Sequence, residues 1–417
     1  MHEPRSPTGP EVGIDDRPFN GTCPGAHPGR LDEADVDRPT SATGRRLRSV
    51  DAFRGIVLAL MVLTPATGAA DRYTWLRHSP WDGATLSDLI FPTFLVTSGI
   101  SLAFLLKPPT VRSTHVRLVR RVLLLVVIGL IYNAYGGTGF DLGELRFTGV
   151  LQTIGVSGAV AALVVLTARH SSPSGDDRPV VLAGAAVLLL GVYGAVLAWS
   201  DRCGGEVFCN PWFDLDTALL GRSHTYAGGT RGYDPEGIAV TIAAASLVLV
   251  GYIAGWLVLR CRRQVPRFAP WLAAAGVVLV VAGLALDPLQ AINKRLLTPA
   301  FVLLASGSAL LGFAVVAILF DQPVRGRAGA AIEPVRSAAL VPFVALGRNA
   351  LIVFVLERFL LQTATMVHVG DQTARNWILE QIPVGLPASH LVYTALVLAI
   401  ILGVVVPLHR RRWYLAL

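Results

Sequence analysis

Long apolar stretches alternate with short polar loops over most of the chain after about residue 45. A helix that spans the hydrocarbon core of a bilayer needs about 20 mostly apolar residues. Ten stretches are long enough, although Pro65 interrupts the first and Asp88 and Pro92 interrupt the second. The pattern therefore predicts an all-α bundle of about ten transmembrane helices, at roughly 52–70, 86–106, 118–135, 149–168, 179–199, 237–259, 269–286, 299–320, 339–364 and 391–409.

The first 44 residues have a different character. They are rich in Pro, Gly, Asp and Arg and show no apolar periodicity. Such a segment buries too little apolar surface to fold, and this one lacks the apolar core of a signal peptide. We therefore expect a disordered cytoplasmic tail over 1–44 and a transmembrane domain over 45–417. Cys23, within the tail, is expected to be an unpaired thiol.

The composition agrees with a membrane protein. Of the 417 residues, 53% are hydrophobic and 15% are charged, and the mean hydropathy is +0.55. A soluble globular chain carries about 25% charged residues. The composition therefore excludes an intrinsically disordered protein and disfavours a soluble two-domain enzyme. The net charge of +8 does not indicate nucleic acid, because the basic residues lie between the apolar stretches.

Lys and Arg are distributed unevenly between the two sets of loops. If the tail lies inside, every inner loop carries at least two of them, and the inner loops hold more than twice as many as the outer loops. This bias predicts a multi-pass protein of the bacterial plasma membrane with both termini in the cytoplasm. The longest loop, 200–236, then lies outside, where Cys203 and Cys209 either form a disulfide or remain two thiols. Cys261 lies on the reducing side.

Ionisable groups at membrane depth are costly, so each is a candidate functional residue. Asp51 and Arg54 are three residues apart near the first stretch and can pair on one helix face. An ion pair that anchors the helix end is the simplest interpretation. In the ninth stretch, Arg348, Asn349 and Glu357 combine an arginine, an amide and a carboxylate. We expect such groups to face the bundle interior around a cavity.

Polar and aromatic residues crowd the start of the second stretch. His78 is followed by Trp81, Asp82 and Asp88, and Trp75 lies just ahead of it. A carboxylate beside an imidazole is what general-base catalysis needs, because the carboxylate fixes the tautomer of the ring. Asp88 also has a structural interpretation, as an acidic residue in the first turn of a helix.

Two more polar segments precede later stretches. Asp234-Pro235-Glu236 has the pattern of a helix start with Asp as the N-cap, and capping alone explains it. Asn293-Lys294-Arg295 brings basic residues to the outer side against the general bias. Binding of an anionic group and a solvated pair stay open as alternatives there. The histidines and cysteines show no metal-ligand spacing, so no metal is expected.

Four separated blocks resemble, in order, the heparan-alpha-glucosaminide N-acetyltransferase family. The blocks are 47–55 with 78–92, then 233–237, then 292–295 with 298–301, and finally 346–351. This polytopic membrane group is widespread in bacteria and includes the lysosomal enzyme that acetylates terminal glucosamine. The chain departs from the family after Met61, where members commonly carry an asparagine and this sequence continues Val62-Leu63-Thr64.

The resemblance implies that an acetyl group passes from cytosolic acetyl-CoA to an amino sugar or glycan on the other side of the membrane. It places the catalytic histidine at His78 and the acidic residue that follows it at Asp88. Acetyl-CoA is then the acyl-donor substrate. We assign the acceptor site to Trp75, Trp81, Asp82, Asp234, Glu236, Asn293 and Lys294. We assign the donor site to Asp51, Arg54, Arg117, Arg120, Arg121, Arg348, Asn349 and Glu357.

Two other functions fit the same polar groups. A transporter of a small sugar or anionic solute would use them as its binding site, and paired broken helices would favour it. An inactive relative would act as a scaffold in envelope assembly. The expected partners are membrane lipid, a sugar or glycan acceptor and a second copy of the chain in a homodimer. No nucleic-acid partner is expected.

Overall fold

The computed structural model of the protein is mostly helical, as the hydropathy pattern predicts. It describes residues 23, 47–64, 76–107, 112–136, 140–172, 175–200, 210–261, 264–322, 326–385 and 388–415. The helices in these ranges are α1 (Arg48–Leu63), α2 (Leu86–Leu105), α3 (Arg112–Gly136), α4 (Val150–His170), α5 (Pro179–Ser200), α6 (Pro211–Leu220), α7 (Val240–Arg260), α8 (Val265–Leu286), α9 (Pro299–Asp321), α10 (Gly326–Arg348), α11 (Ala350–Met366), α12 (Ala374–Gln381) and α13 (Ala388–Arg410). Strands β1 (His368–Val369) and β2 (Gln372–Thr373) pair in an antiparallel hairpin.

Each of the ten predicted stretches corresponds to helix. Seven of the described helices are long and apolar enough to cross a membrane, namely α2, α4, α5, α7, α8, α9 and α13, and the bent pair α10–α11 would make eight. Helices α1 and α3 occupy the other two predicted stretches. The chain is thus an all-α protein of the polytopic membrane type, apart from its small hairpin. The number ten stays a prediction.

The ninth predicted stretch, 339–364, is not one helix. Helices α10 and α11 meet at Asn349 with a bend of 80°. The backbone of Asn349 leaves the helical conformation, and its side-chain amide donates to the carbonyl oxygen of Ala345 at 2.9 Å. A side chain that bonds to nearby backbone competes with the regular helix ladder. The prediction of a single continuous span was therefore wrong at this position.

Helices α2 and α7 pack closely because glycines lie at their contact. A Cβ atom added to Gly99 would lie 2.0 Å from the carbonyl oxygen of Val248, and one added to Gly251 would lie 2.0 Å from that of Val96. Atoms this close would overlap, so the two backbones approach only where a side chain is missing. The contact fixes the direction of α2, whose first turn carries Asp88.

Helices α1 and α10 make a similar contact. A Cβ atom added to Gly55 would lie 1.8 Å from the carbonyl oxygen of Phe343, and one added to Gly347 would lie 1.8 Å from that of Asp51. The close approach lets the guanidinium of Arg54 donate to the carbonyl oxygen of Gly347 at 3.4 Å. It therefore brings the arginine of α1 to the bend between α10 and α11.

Cys23 forms a disulfide with Cys261, directly after the last residue of α7. Both cysteines are buried, and their Cα atoms are 4.9 Å apart. The expectation that Cys23 is an unpaired thiol was therefore wrong. The reason is tertiary: the two residues are 238 positions apart, and only the folded bundle brings them together. The predicted pair Cys203 and Cys209 lies outside the described residues.

Side-chain and backbone contacts define two ends of the bundle. At the tail end, the backbone N–H of Ser49 donates to Asp321 at 3.1 Å, so α1 begins where α9 ends. At the loop end, the loop before α2 meets the loop between α8 and α9, and the backbone N–H of Gly83 donates to the carbonyl oxygen of Ile292 at 2.7 Å. The charge bias predicts that the tail end faces the cytoplasm.

Exposed tryptophans lie near both ends of the long helices. Trp199 and Trp377 are 63% and 42% exposed towards the loop end, and Trp271 and Trp413 are 48% and 68% exposed towards the tail end. Tryptophan is enriched at both membrane–water interfaces, where one end of the ring is wet and the rest apolar. The four side chains therefore agree with a bundle that crosses a bilayer along its long axis.

Candidate active site

The loop before α2 is held in place by backbone pairing across the loop end. Gly83 and Asn293 form an isolated parallel bridge, next to the Gly83–Ile292 hydrogen bond. Gly83 has a φ of +90°, a conformation that favours glycine. The side-chain amide of Asn293 also donates to Asp82 at 3.3 Å. The two sequence blocks that carry His78 and Lys294 are thus joined in one structure.

Asp88 binds the ring of His78 and caps its own helix at the same time. Its Oδ1 lies 2.7 Å from His78 Nδ1, while Oδ2 accepts from the backbone N–H groups of Ser79 and Thr85, each at 3.0 Å. The carboxylate is fully buried, whereas the side chain of His78 is 54% exposed. Asp88 therefore has the structural role in the first turn of α2 and also pairs with His78, and its part in catalysis stays a prediction.

The contact with Asp88 determines the tautomer of His78. An ionised carboxylate can only accept hydrogen bonds, so the proton of the neutral ring lies on Nδ1. Nε2 then keeps its lone pair. This is the arrangement of a histidine that acts as a base or as a nucleophile.

Lys294 places an ammonium group beside this pair. Its Nζ lies 3.7 Å from Asp88 Oδ1 and 3.3 Å from His78 Nδ1. Burial lowers the pKa of Lys294, and the nearby carboxylates of Asp88 and Glu236 oppose that shift. The sequence assigned this residue to the acceptor site, and the structure places it against the carboxylate that orients His78.

A row of aromatic side chains lies beside the loop that carries His78. The rings of Trp81 and Tyr233 meet edge to face with their centroids 5.3 Å apart, and Tyr226 follows at 5.9 Å from Tyr233. The guanidinium of Arg295 lies over Trp81, 5.5 Å from the ring centroid, and donates to the carbonyl oxygen of Ser79 at 3.4 Å. Aromatic faces of this kind can stack on the apolar face of a sugar ring.

Asp234 does not cap α7, contrary to the interpretation from its sequence. The helix begins at Val240, and Asp216 accepts from the backbone N–H of Ala239 at 3.0 Å. Asp234 instead accepts from Arg146 Nη2 at 2.5 Å and from the hydroxyl of Thr148 at 2.5 Å. Those partners come from the loop before α4, which the helix-start pattern could not reveal.

Arg146 is the residue that sequence reasoning missed. It was counted only as a basic residue of an outer loop, yet it bridges Asp234 and Glu236, at 2.5 and 2.7 Å. Burial lowers its pKa, but the two carboxylates outweigh burial and raise the pKa above the ordinary value. No local pattern indicated this role, because Arg146 and Asp234 are 88 positions apart in the sequence.

A cavity of about 560 Å³ lies between the helices and reaches the tail end. Three arginines line it, and apolar side chains cover much of the rest. Arg54 donates to Ser101, Arg121 donates to Ser98 at 3.4 Å, and Arg348 lies 3.5 Å from the ring centroid of Tyr414. The lining residues are Arg54, Leu58, Phe94, Thr97, Ser98, Ser101, Leu105, Arg121, Leu125, Val150, Leu151, Ile154, Gly347, Arg348, Ala350, Leu351, Phe354, Tyr414 and Leu415.

Some predicted donor-site residues do not line this cavity. Arg117 and Arg120 are exposed on α3, and Arg117 donates to the backbone of its own helix. Asp51, Asn349 and Glu357 are buried but are not part of the lining.

Other predicted positions fall elsewhere or outside the described residues. Trp75 lies outside them. Across the described part of the chain, no group of three His, Cys, Asp or Glu side chains is placed to hold a metal ion.

The cavity extends towards the His78 pair without including it. Phe94 lines the cavity and lies six residues after Asp88 on α2, about 9 Å along the helix axis. His78 is not among the lining residues. The cavity therefore ends within two helical turns of the carboxylate that orients the histidine.

Comparison with known proteins gives one family. Residues 46–193 match the family described as heparan-alpha-glucosaminide N-acetyltransferase, catalytic. The mouse heparan-alpha-glucosaminide N-acetyltransferase is 27% identical over 352 residues, which cover 71% of this chain and 52% of the mouse protein. The human protein of the same name is 30% identical over 308 residues, which cover 61% of this chain and 46% of the human protein.

The matched region contains the loop that carries His78 and Asp88. The chain spans about half the length of the curated relatives it matches. The family match thus covers the first of the four blocks at which the sequence resembled this family. The resemblance is confirmed: residues 46–193 of this chain match the heparan-alpha-glucosaminide N-acetyltransferase family, and the two relatives of that name are 27% and 30% identical to it.

Proposed function

We propose that the protein is a transmembrane N-acetyltransferase that moves an acetyl group from cytosolic acetyl-CoA to an amino sugar or glycan on the other side of the membrane. The observation that carries the proposal is the pair formed by His78 and the buried Asp88, joined at 2.7 Å within the region that matches the family. The pair leaves Nε2 of His78 free for proton or acetyl transfer.

The donor enters from the tail end. Acetyl-CoA carries several phosphate charges at one end and a long, largely neutral arm that ends in the thioester. The cavity offers both kinds of surface, because Arg54, Arg121 and Arg348 line it together with apolar residues such as Phe94 and Val150. Arginine binds phosphate with charge-assisted hydrogen bonds, so the phosphates would stay near the tail end while the arm points towards His78.

The chemistry at His78 has two forms. In direct transfer, the amine nitrogen of the acceptor attacks the thioester carbon while Nε2 takes the amine proton, the C–S bond breaks, and the coenzyme A thiolate leaves. In stepwise transfer, Nε2 attacks the thioester carbon first and the thiolate leaves; the amine then attacks the acetyl carbon, the bond from Nε2 to the acetyl group breaks, and the released ring nitrogen takes the amine proton. In both forms Asp88 stabilises the positive charge that develops on the ring.

The acceptor binds at the loop end. Trp81 and Tyr233 offer faces for a sugar ring, and Asp82 and Lys294 lie beside His78. Asp234 and Glu236 serve the same site indirectly, because Arg146 engages both carboxylates and holds the loop in shape. The sugar therefore meets Nε2 from the exposed side of the ring.

The proposal includes a location and partners. The protein lies in the bacterial plasma membrane with both termini in the cytoplasm, and it works on a cell-envelope glycan while in contact with membrane lipid, as a homodimer. The loop charges and the exposed tryptophans at both ends support the membrane placement. A crosslinking experiment in native membranes tests the dimer.

The test is acetylation by the purified protein in lipid. Acetyl-CoA labelled in the acetyl group is incubated with protein and a panel of amino sugars, with His78→Gln as the matched control. We expect time-dependent label in an N-acetylated sugar for the wild type and none above background for the variant. Label transfer that is equal in the two proteins would refute the proposal.

The transporter alternative is not favoured, because the named relatives are N-acetyltransferases. The same preparation separates the two functions. Exchange of a labelled sugar across the bilayer without any acetylation would support transport instead.

A further inference from the structure

Asp88 is a fully buried carboxylate with two cationic candidates for its counter-ion. One is the imidazole of His78 in its protonated form, and the other is the ammonium of Lys294, 3.7 Å from Oδ1. Its remaining contacts are neutral, namely two backbone N–H groups and the hydroxyl of Thr85. A buried charge needs a counter-charge as well as hydrogen bonds.

The contact between Lys294 and His78 is not a hydrogen bond. An ammonium only donates, and Nδ1 already uses its proton towards Asp88 Oδ1 at 2.7 Å. The approach of Nζ to 3.3 Å from Nδ1 therefore places a positive charge next to a ring nitrogen that cannot accept from it. Such a charge opposes a second positive charge on the ring.

We infer that Lys294 is a positioning residue of the His78–Asp88 pair, which serves as the counter-ion of Asp88 so that His78 remains neutral and keeps the lone pair on Nε2. This inference rests on the proposed function, since it concerns the histidine that performs it. It assigns Lys294 to His78 rather than to the acceptor sugar.

The other charged groups near the ring leave this role to Lys294. Arg295 points to the carbonyl oxygen of Ser79 and to the face of Trp81. Glu236 belongs to the pair with Arg146 and acts on Lys294 at longer range. Asp82 accepts from the amide of Asn293. Among the described residues, the cationic side chains within 4 Å of the Asp88 carboxylate are those of His78 and Lys294.

The test measures the nucleophilicity of His78 without any acetylation assay. Diethyl pyrocarbonate reacts with the lone pair of a neutral imidazole: a bond forms between the ring nitrogen and the ethoxycarbonyl carbon, and ethyl carbonate leaves and decomposes to ethanol and carbon dioxide. Mass spectrometry of the peptide that carries His78 gives the rate at this one histidine. The protein is the full chain in lipid, as Lys294→Met, Lys294→Arg and wild type.

We expect Lys294→Met to slow the modification of His78 about tenfold at pH 6.5, because the ring then takes a proton to balance Asp88. The deficit should shrink at pH 8.5, where the ring loses that proton. Lys294→Arg keeps the charge and should stay within about threefold of the wild type. A matched control is Lys107→Met, because Lys107 is exposed after α2 at the tail end.

Three results would overturn the inference. They are an unchanged rate in Lys294→Met, an equal loss in Lys294→Met and Lys294→Arg, and a deficit that does not respond to pH. If the wild type acetylates no sugar but the predicted rates are found, the proposed function fails and the role of Lys294 stands. Where transfer is active, Lys294→Met should lower kcat more than it raises KM for the acceptor.

Discussion

The two ends of the bundle use charge in different ways. At the loop end, charged side chains meet one another: Arg146 holds Asp234 and Glu236, and Asp88 lies between His78 and Lys294. In the cavity that reaches the tail end, two of the lining arginines meet neutral groups. Arg121 reaches the hydroxyl of Ser98, and Arg348 covers the ring of Tyr414, and neither has a carboxylate within 4 Å among the described residues.

This difference separates charges that build the site from charges that await a ligand. In a buried pair, each charge offsets part of the desolvation cost of its partner, and the contact fixes the loops that carry the pair. An arginine in a cavity with neutral neighbours gains most when an anion arrives. Under the proposed function, the loop end is therefore a preformed reaction site, and the tail end binds the polyanionic donor.

The largest expected effect is the loss of chemistry at the loop end. His78→Gln removes the ring nitrogen that accepts a proton or an acetyl group, and general acid–base catalysis contributes about 10²–10⁴-fold in rate. We expect kcat to fall by that factor, measured with labelled acetyl-CoA. The midpoint of thermal unfolding should change little, because half of the side chain is exposed. A variant that retains wild-type kcat would show that the reaction does not take place at His78.

The next effect is on folding and compares the two kinds of arginine. Arg146→Met leaves Asp234 buried without its partner, and breaking a buried pair typically costs about 3–5 kcal/mol in the free energy of unfolding. Arg121→Met should cost much less, since no described carboxylate loses a partner. Denaturant titration in detergent gives both values. Equal losses of unfolding free energy in the two variants would contradict the difference between the paired charges at the loop end and Arg121 in the cavity.

A third prediction concerns Asp216, which holds the start of α7 at the loop end. Burial, and then the charge of Asp234, raises its pKa from 3.8 to about 6. Because the folded pKa lies above the unfolded one, the folded state keeps the proton more tightly. The contribution of Asp216 to the free energy of unfolding is therefore full below about pH 4. It falls as the pH rises through 6, by at most about 3 kcal/mol.

Asp216→Asn should remove that dependence. The amide oxygen can still accept from the backbone N–H of Ala239, and no charge is buried at neutral pH. We expect the variant to be more stable than the wild type at pH 7.5 and equally stable near pH 4, as read from thermal unfolding. A variant that is less stable at pH 7.5 would show that the ionised carboxylate is needed there.

The smallest effect concerns the donor. Arg121→Gln should raise KM for acetyl-CoA about tenfold and leave kcat within about twofold, because one charge-assisted contact is worth about 1.5–3 kcal/mol. Arg120→Gln is the matched control, since Arg120 is exposed and does not line the cavity. A rise in KM for both variants, or for neither, would contradict the placement of the phosphates in the cavity.

Hydropathy predicted the helices well because a bilayer imposes a strong compositional signal over about 20 residues. It missed the bend at Asn349, since apolar residues continue on both sides of it and the cause is a side chain that bonds the backbone. Hydropathy also could not show which of Arg120 and Arg121 faces the cavity. The two are neighbours in sequence but point about 100° apart around α3. Only the packing of α3 against its neighbours decides which one faces the cavity.

The candidate site was predictable where its residues are local and hidden where they are not. His78 and Asp88 lie ten positions apart, so their pairing could be expected from the sequence. Arg146 and Asp234 are 88 positions apart, and the contact between them follows from the docking of two loops. The disulfide of Cys23 depends on tertiary structure in the same way.

The proposed function requires a donor and an acceptor that approach His78 from opposite ends of the bundle. The direct measurement uses sealed membrane vesicles with the protein in one orientation, acetyl-CoA labelled in the acetyl group on the tail-end side, and an amino sugar enclosed on the loop-end side. We expect labelled N-acetyl sugar in the compartment that never contained acetyl-CoA, and none with His78→Gln. Labelled product that forms only when both substrates share one side would contradict it.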